Sequence, residues 1–588
     1  MWTEAGQHRA NHKVKRAAFA LTVAGLIAAL PASAAIDIVV NGVDDTIASN
    51  VRATLSLSSY AAAEVVNDQR VRQLFASAEG EASEALQAYG FYNPEIETHL
   101  ESVGDDWKAT IDIVPGPPVI LQEIVVEVVG PGQNHPEFLS LIENPLLRPG
   151  NRLIHADYEN TKRELNRIAN EFGFVEGSFS RNRLEVDPVK NIANAFITYA
   201  TGPRYFFGDL QIEQDVIDED LLRRYLRFSE GDPYDSKLLL SSTNILFDTG
   251  FFSTIDVVPL RAVAADDSVP IRVTAVAGKK HRWGLGFGYA SDTAERISAA
   301  WTNRRVNRRG HSLLATVRYS SLTTIGRASY AIPVGDPALE RLTLSFATIE
   351  DEPGDIKSNR YELGSTLTQI FGPWQRIIDL FVIDEDSDFG SSTQQDTFIV
   401  PGIGFSRTHS DNKLRPTRGF RVQSKLSGSH TALGASASFT RIETRARILI
   451  PLGSRNSLLL RGESGAILTG SFSNMSASQR FFAGGDNSIR GYSYKSLSPR
   501  DQDNQRIGGR YLATGSIEFT RRLFNNWGAA IFTDGGNAFD SLDDDFEASV
   551  GLGVRLFSPV GKISVDIAQS VTDSDSSKQL HISIGPDL

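Results

Sequence analysis

Lys562-Ile563-Ser564-Val565-Asp566-Ile567-Ala568-Gln569-Ser570-Val571 decides the fold of this chain. Ile563, Val565 and Ile567 fall on one face of an extended strand, and small, polar or charged residues fall on the other. The same alternation marks Ser312–Ser320, where Leu313, Ala315, Val317 and Tyr319 share a face. It recurs in Arg341–Glu350, Phe420–Gly428, Arg441–Pro451, Tyr511–Arg522 and Ser549–Ser558. From His281 onward sixteen such strands can be laid out, within a range of fourteen to eighteen. The 308 residues leave roughly nineteen per strand and connection, which suits strands of about 9–11 residues. A period of two on this scale has few physical solutions, and a membrane β-barrel of about sixteen antiparallel strands leads them. Connections after even strands read Gly372-Pro373, Leu452-Gly453-Ser454, Phe524-Asn525-Asn526 and Pro559-Val560-Gly561, mostly tight-turn chemistry. The longest connection, roughly Ser471 to Ile507, follows strand eleven and is extracellular if the residues before the barrel are periplasmic.

The compartment is read from the other end. Arg9, Lys13, Lys15 and Arg16 precede an apolar or small run from Ala17 to Leu30, then Pro31 and Ala32-Ser33-Ala34. This predicts a signal peptide over 1–34 and a mature chain from Ala35. No later run of 18 apolar residues offers a membrane helix, so only a closed barrel could satisfy its backbone within lipid. Zero cysteines exclude disulfides and thiolate metal sites, and a net charge of −12 argues against nucleic acid. Ten scattered histidines without metal-ligand spacing, and no phosphate loop or nucleophile elbow, predict no cofactor, no metal and no catalysis. Asp384-Glu385-Asp386 reads as a solvated strand end.

Before residue 281 the chain repeats. Tyr89-Gly90-Phe91-Tyr92, Phe172-Gly173-Phe174-Val175 and Thr249-Gly250-Phe251-Phe252 lie 83 and 77 residues apart. Each follows an amphipathic helix, over Arg70–Ala88, Tyr158–Glu171 and Ser236–Asp248. Gly150-Asn151 and Gly231-Asp232, 81 residues apart, open the helices of repeats two and three. The glycine ends a helix in the left-handed region and the aromatic packs the turn against a sheet. Each unit reads strand, helix, helix, strand, strand, with first strands at Ile36–Val40, Ile124–Val129 and Phe207–Ile212, and the terminal repeat is expected to be atypical. The expected domains are 35–119, 120–204, 205–280 and a barrel over 281–588.

Three motifs sit in the barrel region. Asp411 is followed by Pro416-Thr417-Arg418-Gly419; the longest loop holds Gly484-Gly485-Asp486-Asn487-Ser488-Ile489-Arg490-Gly491-Tyr492; a later strand reads Phe532-Thr533-Asp534-Gly535-Gly536. In this order, behind the repeats, they resemble the bacterial surface antigen superfamily of outer-membrane assembly proteins. Its loop-six signature is an Arg-Gly-aromatic tip after a hydrophobic residue, here Ile489-Arg490-Gly491-Tyr492. The resemblance covers nearly the whole mature chain. The three modules resemble POTRA domains, which add a client strand to an exposed sheet edge. Their number, the stretch Ser493–Asp501 and the ending Ile584-Gly585-Pro586-Asp587-Leu588 are similar to the TamA branch. This implies a non-enzymatic factor of the Gram-negative outer membrane, with its modules in the periplasm. Such a factor helps insert outer-membrane and autotransporter client proteins into the lipid bilayer, with a TamB-like partner anchored in the inner membrane. A two-partner-secretion transporter and a passive pore are the alternatives.

Two sites follow as expectations. Alternation puts Glu463, Glu518 and Asp534 on the lumen face of strands eleven to thirteen, because Leu458, Leu460, Ile517, Phe519, Trp527 and Ile531 face lipid. Arg490 should fold inward to meet them, with Asp534 the partner that the family implies. The second site is the seam between strands one and sixteen. Gly284, Gly286 and Gly288 deprive strand one of side-chain packing. The last strand, Gln579–Gly585 with Ile582, is short, and Pro586 cannot donate to a ladder. A seam weak on both sides is expected to open to clients.

Overall fold

The computed structural model describes residues 36–585 apart from 62–66, 105, 291–293, 391, 525, 559–560 and 573–577. The expected signal peptide, the mature start at Ala35, and Pro586 lie outside the described residues. The first module comprises β1 (Ile36–Asn41), α1 (Asp45–Thr54), α2 (Ser56–Ala61), α3 (Asp68–Phe75), α4 (Ala78–Gln87), β2 (Glu95–Val103) and β3 (Asp106–Val114). The second comprises β4 (Ile120–Val129), α5 (Pro136–Glu143), α6 (His155–Glu171), β5 (Ser178–Asp187) and β6 (Ile192–Ala200). The third comprises β7 (Phe206–Glu213), α7 (Glu219–Tyr225), α8 (Ser236–Asp248), β8 (Phe252–Pro259) and β9 (Ser268–Ala277).

In each module the last strand lies in the middle, parallel to the first and antiparallel to the second. A parallel pair needs a crossover, and the helices supply it. The repeated glycine explains how each crossover ends: Gly90, Gly173 and Gly250 have φ of +82°, +84° and +67°. Phe91 N–H and Phe174 N–H then reach back to the carbonyls of Leu86 and Ala169, at 3.2 and 2.8 Å, and Phe91, Phe174 and Phe251 are buried.

Two readings of the repeats need correction. The helix expected over Arg70–Ala88 is split into α3 and α4, because the Ser77 hydroxyl donates to Leu74 O at 2.9 Å and competes with the helical ladder. Gly150 and Gly231 do not open helices directly. Their N–H groups donate to Leu121 O and Phe207 O, both at 2.8 Å, tying the loop to the first strand several residues before α6 and α8 begin.

The first two modules form one compact unit, and the third belongs with the barrel. Among the described residues no helix is long and apolar enough to cross a membrane. The barrel sheet does so with sixteen strands: β10 (His281–Ala290), β11 (Ala294–Asn303), β12 (Ser312–Ser320), β13 (Thr323–Pro333), β14 (Glu340–Asp351), β15 (Lys357–Phe371), β16 (Trp374–Phe389), β17 (Ser392–Ser410), β18 (Gly419–Ser429), β19 (Phe439–Leu452), β20 (Asn456–Leu468), β21 (Tyr511–Arg522), β22 (Trp527–Phe539), β23 (Glu547–Ser558), β24 (Gly561–Ser570) and β25 (Gln579–Gly585). Neighbours pair in chain order. Val317, Ile531, Leu552 and Ile567 face outward and are exposed, as a lipid-facing band requires. Strands β15, β16 and β17, at 15, 16 and 19 residues, overrun the expected length. Their far ends pass beyond a bilayer's reach, and there the expectation for Glu385 fails. It is buried, not solvated, and accepts from Ser358 Oγ at 2.7 Å and from Ser478 N at 3.2 Å.

The third module is clamped to the turns at the near end of the barrel. Asp218 N–H donates to Arg308 O at 2.9 Å, Arg308 Nε returns to Asp218 Oδ1 at 3.1 Å, and Arg227 Nη1 meets Asp336 Oδ2 at 2.5 Å. At the sheet's ends β10 and β25 lie side by side, but among the described residues no hydrogen-bonded ladder joins them.

Candidate functional site

The connection between β20 and β21 folds into the lumen. Phe472, Met475, Phe481, Ile489 and Tyr492 pack with Phe398 and Phe439 of the wall in one apolar cluster. Arg480, which the sequence did not single out, ties the loop to itself by donating to Met475 O, Phe472 O and Ile507 O at 2.8–2.9 Å. The tip turns tightly because Gly484 and Gly485 have φ of +100° and about +101°. Gly485 N–H donates to Ile489 O and Tyr492 O at 3.2 and 3.0 Å. Gly491 has φ +92° and presses on the wall: a Cβ there would lie 3.2 Å from Ser549 Cβ and 3.3 Å from the backbone at Gln569. Only glycine fits that approach.

Arg490 projects from this turn into a dry cluster. Its Nε and Nη2 grip both oxygens of Asp534 at 2.7 and 2.9 Å, and its own backbone N–H adds a third bond to that carboxylate at 3.0 Å. Nη1 donates to Glu518 at 2.8 Å and to Asp566 at 3.1 Å, and Nη2 donates to Ser516 Oγ at 3.2 Å. The guanidinium carbon lies 3.3 Å from the centre of the Phe532 ring. Arg490, Glu518 and Asp534 are 4%, 3% and 1% exposed, so these charges interact largely without water. Arg555 holds the far side, 2.8 Å from Glu518 and bonded to Asp566. Every carboxylate in the cluster thus has a cationic partner, as desolvated charge demands.

Glu463 is not in this cluster and must be corrected. It lies 3.3 Å from Arg445, its directly opposite neighbour on β19, while Arg461 of the same strand stands nearest Asp534 at 3.7 Å. Alternation gives the face of a residue but not its height. Glu463 is paired with Thr514, one lumen-facing rung past Ser516, which is the partner of Asp534. The third acid is Asp566 of β24, on the lumen face opposite Ile563, Val565 and Ile567; the alternation carried that signal.

His581 of β25 was also missed. Gly491 N–H donates to its Nε2 at 3.0 Å, so Nδ1 carries the proton shared with Asp486 Oδ1 at 2.5 Å. Tyr492 OH donates to Glu547 at 2.5 Å and meets Ser570 Oγ at 2.5 Å. The loop tip therefore touches β22, β23, β24 and β25 together.

The other motif residues stand apart. Asp411, just past β17, accepts from Thr417 N–H at 2.9 Å, Arg418 N–H at 3.2 Å and the Thr417 hydroxyl, with Pro416 inside the ring and Gly419 beginning β18. Those bonds, the Thr417 hydroxyl foremost, hold its carboxyl down to about 2. Of the seam glycines, only Gly286 is crowded, where a Cβ would lie 2.5 Å from Ser298 Oγ; Gly284 and Gly288 have room. Ile582 pairs with Val565 of β24.

The fold and this lumen define an outer-membrane type of barrel preceded by POTRA modules. Residues 276–587 match the Omp85 superfamily domain, residues 37–115 match POTRA domain TamA domain 1, and residues 205–277 match the surface antigen variable number repeat. The chain belongs to the Omp85 superfamily. It is 26% identical over 368 residues to the outer membrane protein assembly factor BamA of Nitratidesulfovibrio vulgaris, covering 59% of this chain and 46% of that one. Over 443 residues it is 22% identical to BamA of Neisseria meningitidis serogroup B, covering 67% and 54%. The chain spans about half the length of these curated relatives. Among solved structures, BamA from Haemophilus ducreyi lacking POTRA domains 1–3 aligns with a TM-score of 0.67 at 16% identity, over 79% of this chain and 99% of that one, and shares the fold.

Proposed function

We propose that this protein is a non-enzymatic assembly factor of the Gram-negative outer membrane. Its POTRA modules, over 35–119, 120–204 and 205–280, stand in the periplasm before a barrel over 281–588, and it helps insert β-barrel and autotransporter proteins. A TamB-like protein anchored in the inner membrane is its partner. Support comes from the names of the BamA relatives and from the TamA-type first module. The observation that carries the mechanism is the contrast at the seam. The last strand is held from inside the lumen through His581, and no ladder joins it to β10 among the described residues. A client strand can pair with β10 there, since an unpaired strand edge is a template for pairing.

A disulfide engineered across the seam, Phe287→Cys with Ile582→Cys, tests this in a chain that has no cysteine of its own. Oxidation should stop client insertion and reduction should restore it. Insertion at the unmodified rate in the locked protein would falsify the gating step. Deleting 35–119 should leave the barrel folded and abolish assembly. Selective conductance, with client levels unchanged on deletion of the whole protein, would favour a transporter or a passive pore.

A further inference from the structure

On the outer face of the barrel, near the end that meets the third module, two arginines stand where the wall should meet lipid. Ile378, Leu380 and Val382 of β16 are exposed on that face, and the same alternation puts Trp374 and Arg376 there. On β17 Phe405 is exposed outward, and Arg407 follows it by two. Arg407 is directly opposite Trp374 on one side and Val422 of β18 on the other, so Phe420 is its diagonal neighbour. Its guanidinium carbon lies 5.7 Å from the centre of the Trp374 ring and 5.4 Å from that of Phe420. Arg376 lies 5.9 Å from the ring of Phe371, which is also exposed. A charge on the lipid-facing wall is costly at the bilayer centre and tolerated near its surface, and flanking rings are what an interfacial girdle supplies.

The two cations are answered differently. Arg376 Nε donates to Gln369 Oε1 at 3.0 Å, and Gln369 Nε2 donates to Glu340 Oε1 at 2.9 Å, so an acid answers Arg376 through an amide. Arg407 makes no hydrogen bond or ion pair among the described residues, and its Nε–H is buried without an acceptor. The two rings take water from this guanidinium and offer no hydrogen-bond acceptor in its place. The turn after β17 adds Lys413, Arg415 and Arg418, all exposed, while its single acid, Asp411, is engaged by the N–H groups of Thr417 and Arg418. At the far end of β16 the same outer face has the opposite sign, since Asp384, Asp386 and Asp388 are exposed there.

We propose that this patch of rings and cations, Phe371, Trp374, Arg376, Arg407 and Phe420, binds the phosphate of an anionic phospholipid in the leaflet on the side of the third module. Arg407 is the principal donor. Arg376 adds its Nη1, since its Nε and Nη2 are already turned to Gln369. A guanidinium fork matches the oxygens of a phosphodiester, and the acyl chains then run up the apolar face of Ile378, Leu380 and Val382. An ammonium headgroup finds no such welcome. It would meet Lys413, Arg415 and Arg418, while Glu340 already holds Gln369 and Asp411 already holds its own turn. The reversal of sign along β16 fixes the leaflet. The inference rests on the barrel lying in a bilayer and is independent of its part in client insertion.

The test uses the full chain in non-ionic detergent, titrated with dioleoylphosphatidylglycerol or dioleoylphosphatidylcholine and read by native mass spectrometry. A saturable phosphatidylglycerol adduct is expected, weakened about tenfold in Arg376→Gln/Arg407→Gln. Arg407→Lys keeps the charge and loses the planar fork, so its adduct should be of intermediate strength; it supplies the comparison if the double variant does not fold. Arg521→Gln is the control for bare charge. Arg521 is exposed at the same end of β21, on the face of Ile517, and touches no aromatic ring among the described residues, so its loss should leave the adduct unchanged. Melting gives a second readout. Phosphatidylglycerol should raise the melting temperature of the parent chain above the value in phosphatidylcholine, and that increment should vanish in the double variant. Equal binding by parent and double variant would overturn the site. So would an equal loss in Arg521→Gln, or phosphatidylcholine held as tightly as phosphatidylglycerol.

Discussion

The middle and the end of the barrel wall are built on different principles. At the middle, β16 pairs with β17 along its whole 16 residues, from Trp374 opposite Arg407 to Phe389 opposite Ser392, so the backbone ladder does the holding. At the end, β25 has 7 residues and, among the described residues, a ladder on β24 alone. What secures it is side-chain chemistry reaching across the lumen from the loop: His581 on Gly491 and Asp486, with the Arg490 cluster behind them. A ladder spreads its stability over many equivalent bonds, whereas a side-chain latch concentrates it in a few. The two regions should therefore respond to single substitutions very differently.

The largest effect is expected at Arg490. Arg490→Ala leaves Asp534, Glu518 and Asp566 buried with fewer cations, and breaking such a pair costs about 3–5 kcal/mol. Hydrogen exchange should quicken in the loop and in β25 while β16 and β17 stay protected. Equal loss of protection in all four would break the distinction between latch and ladder. His581→Ala comes next, because it strands the Gly491 N–H and costs about 1–3 kcal/mol. Here the loop should keep its grip on Asp534, and only β25 amides should exchange faster. A loop released together with the strand would show that the two are one unit.

A substitution inside a ladder sharpens the contrast. Ser424 Oγ lies 3.0 Å from Thr444 Oγ1 between β18 and β19. Ser424→Ala should cost about 0.5–1.5 kcal/mol, with no change in exchange at β25. The smallest effect belongs to Asp411. Its carboxyl is held at about 2 against an ordinary 3.8, so its contribution is present above the ordinary value and is lost as pH falls through about 2. Denaturant midpoints of the parent chain and Asp411→Asn should differ at neutral pH and converge between about pH 4 and pH 2. A gap that persists at the acid end would mean that the turn is held by shape and not by the carboxylate.

The legibility of this fold in its sequence follows the same division. Period-two alternation is a local property, so β12, β21 and β25 could be bounded from residues alone, and the repeated Gly-aromatic pair marked the end of each crossover. Lumen-facing residues could be picked out for the same reason, Glu518 and Asp534 among them. Height within the barrel is set by the stagger between distant strands, and no local pattern carries it. Glu463 shares a face with Glu518 and Asp534 but stands at a different level, while Asp566, on the same face, stands at theirs. His581 was out of reach for another reason: its partners lie about ninety positions earlier, on a loop whose path is known only once it has folded inward.

The clamp between the third module and the near-end turns has a mechanical consequence. Arg308 lies between β11 and β12, and Asp336 between β13 and β14, so the module is bolted to four of the sixteen strands, next to β10. A load entering through that module meets the wall off its axis, and an off-axis load on a hollow cylinder is a torque. It wrings the wall, and shear in a wrung cylinder collects along the line with the fewest cross-ties. Along β10 and β25 that line is already drawn.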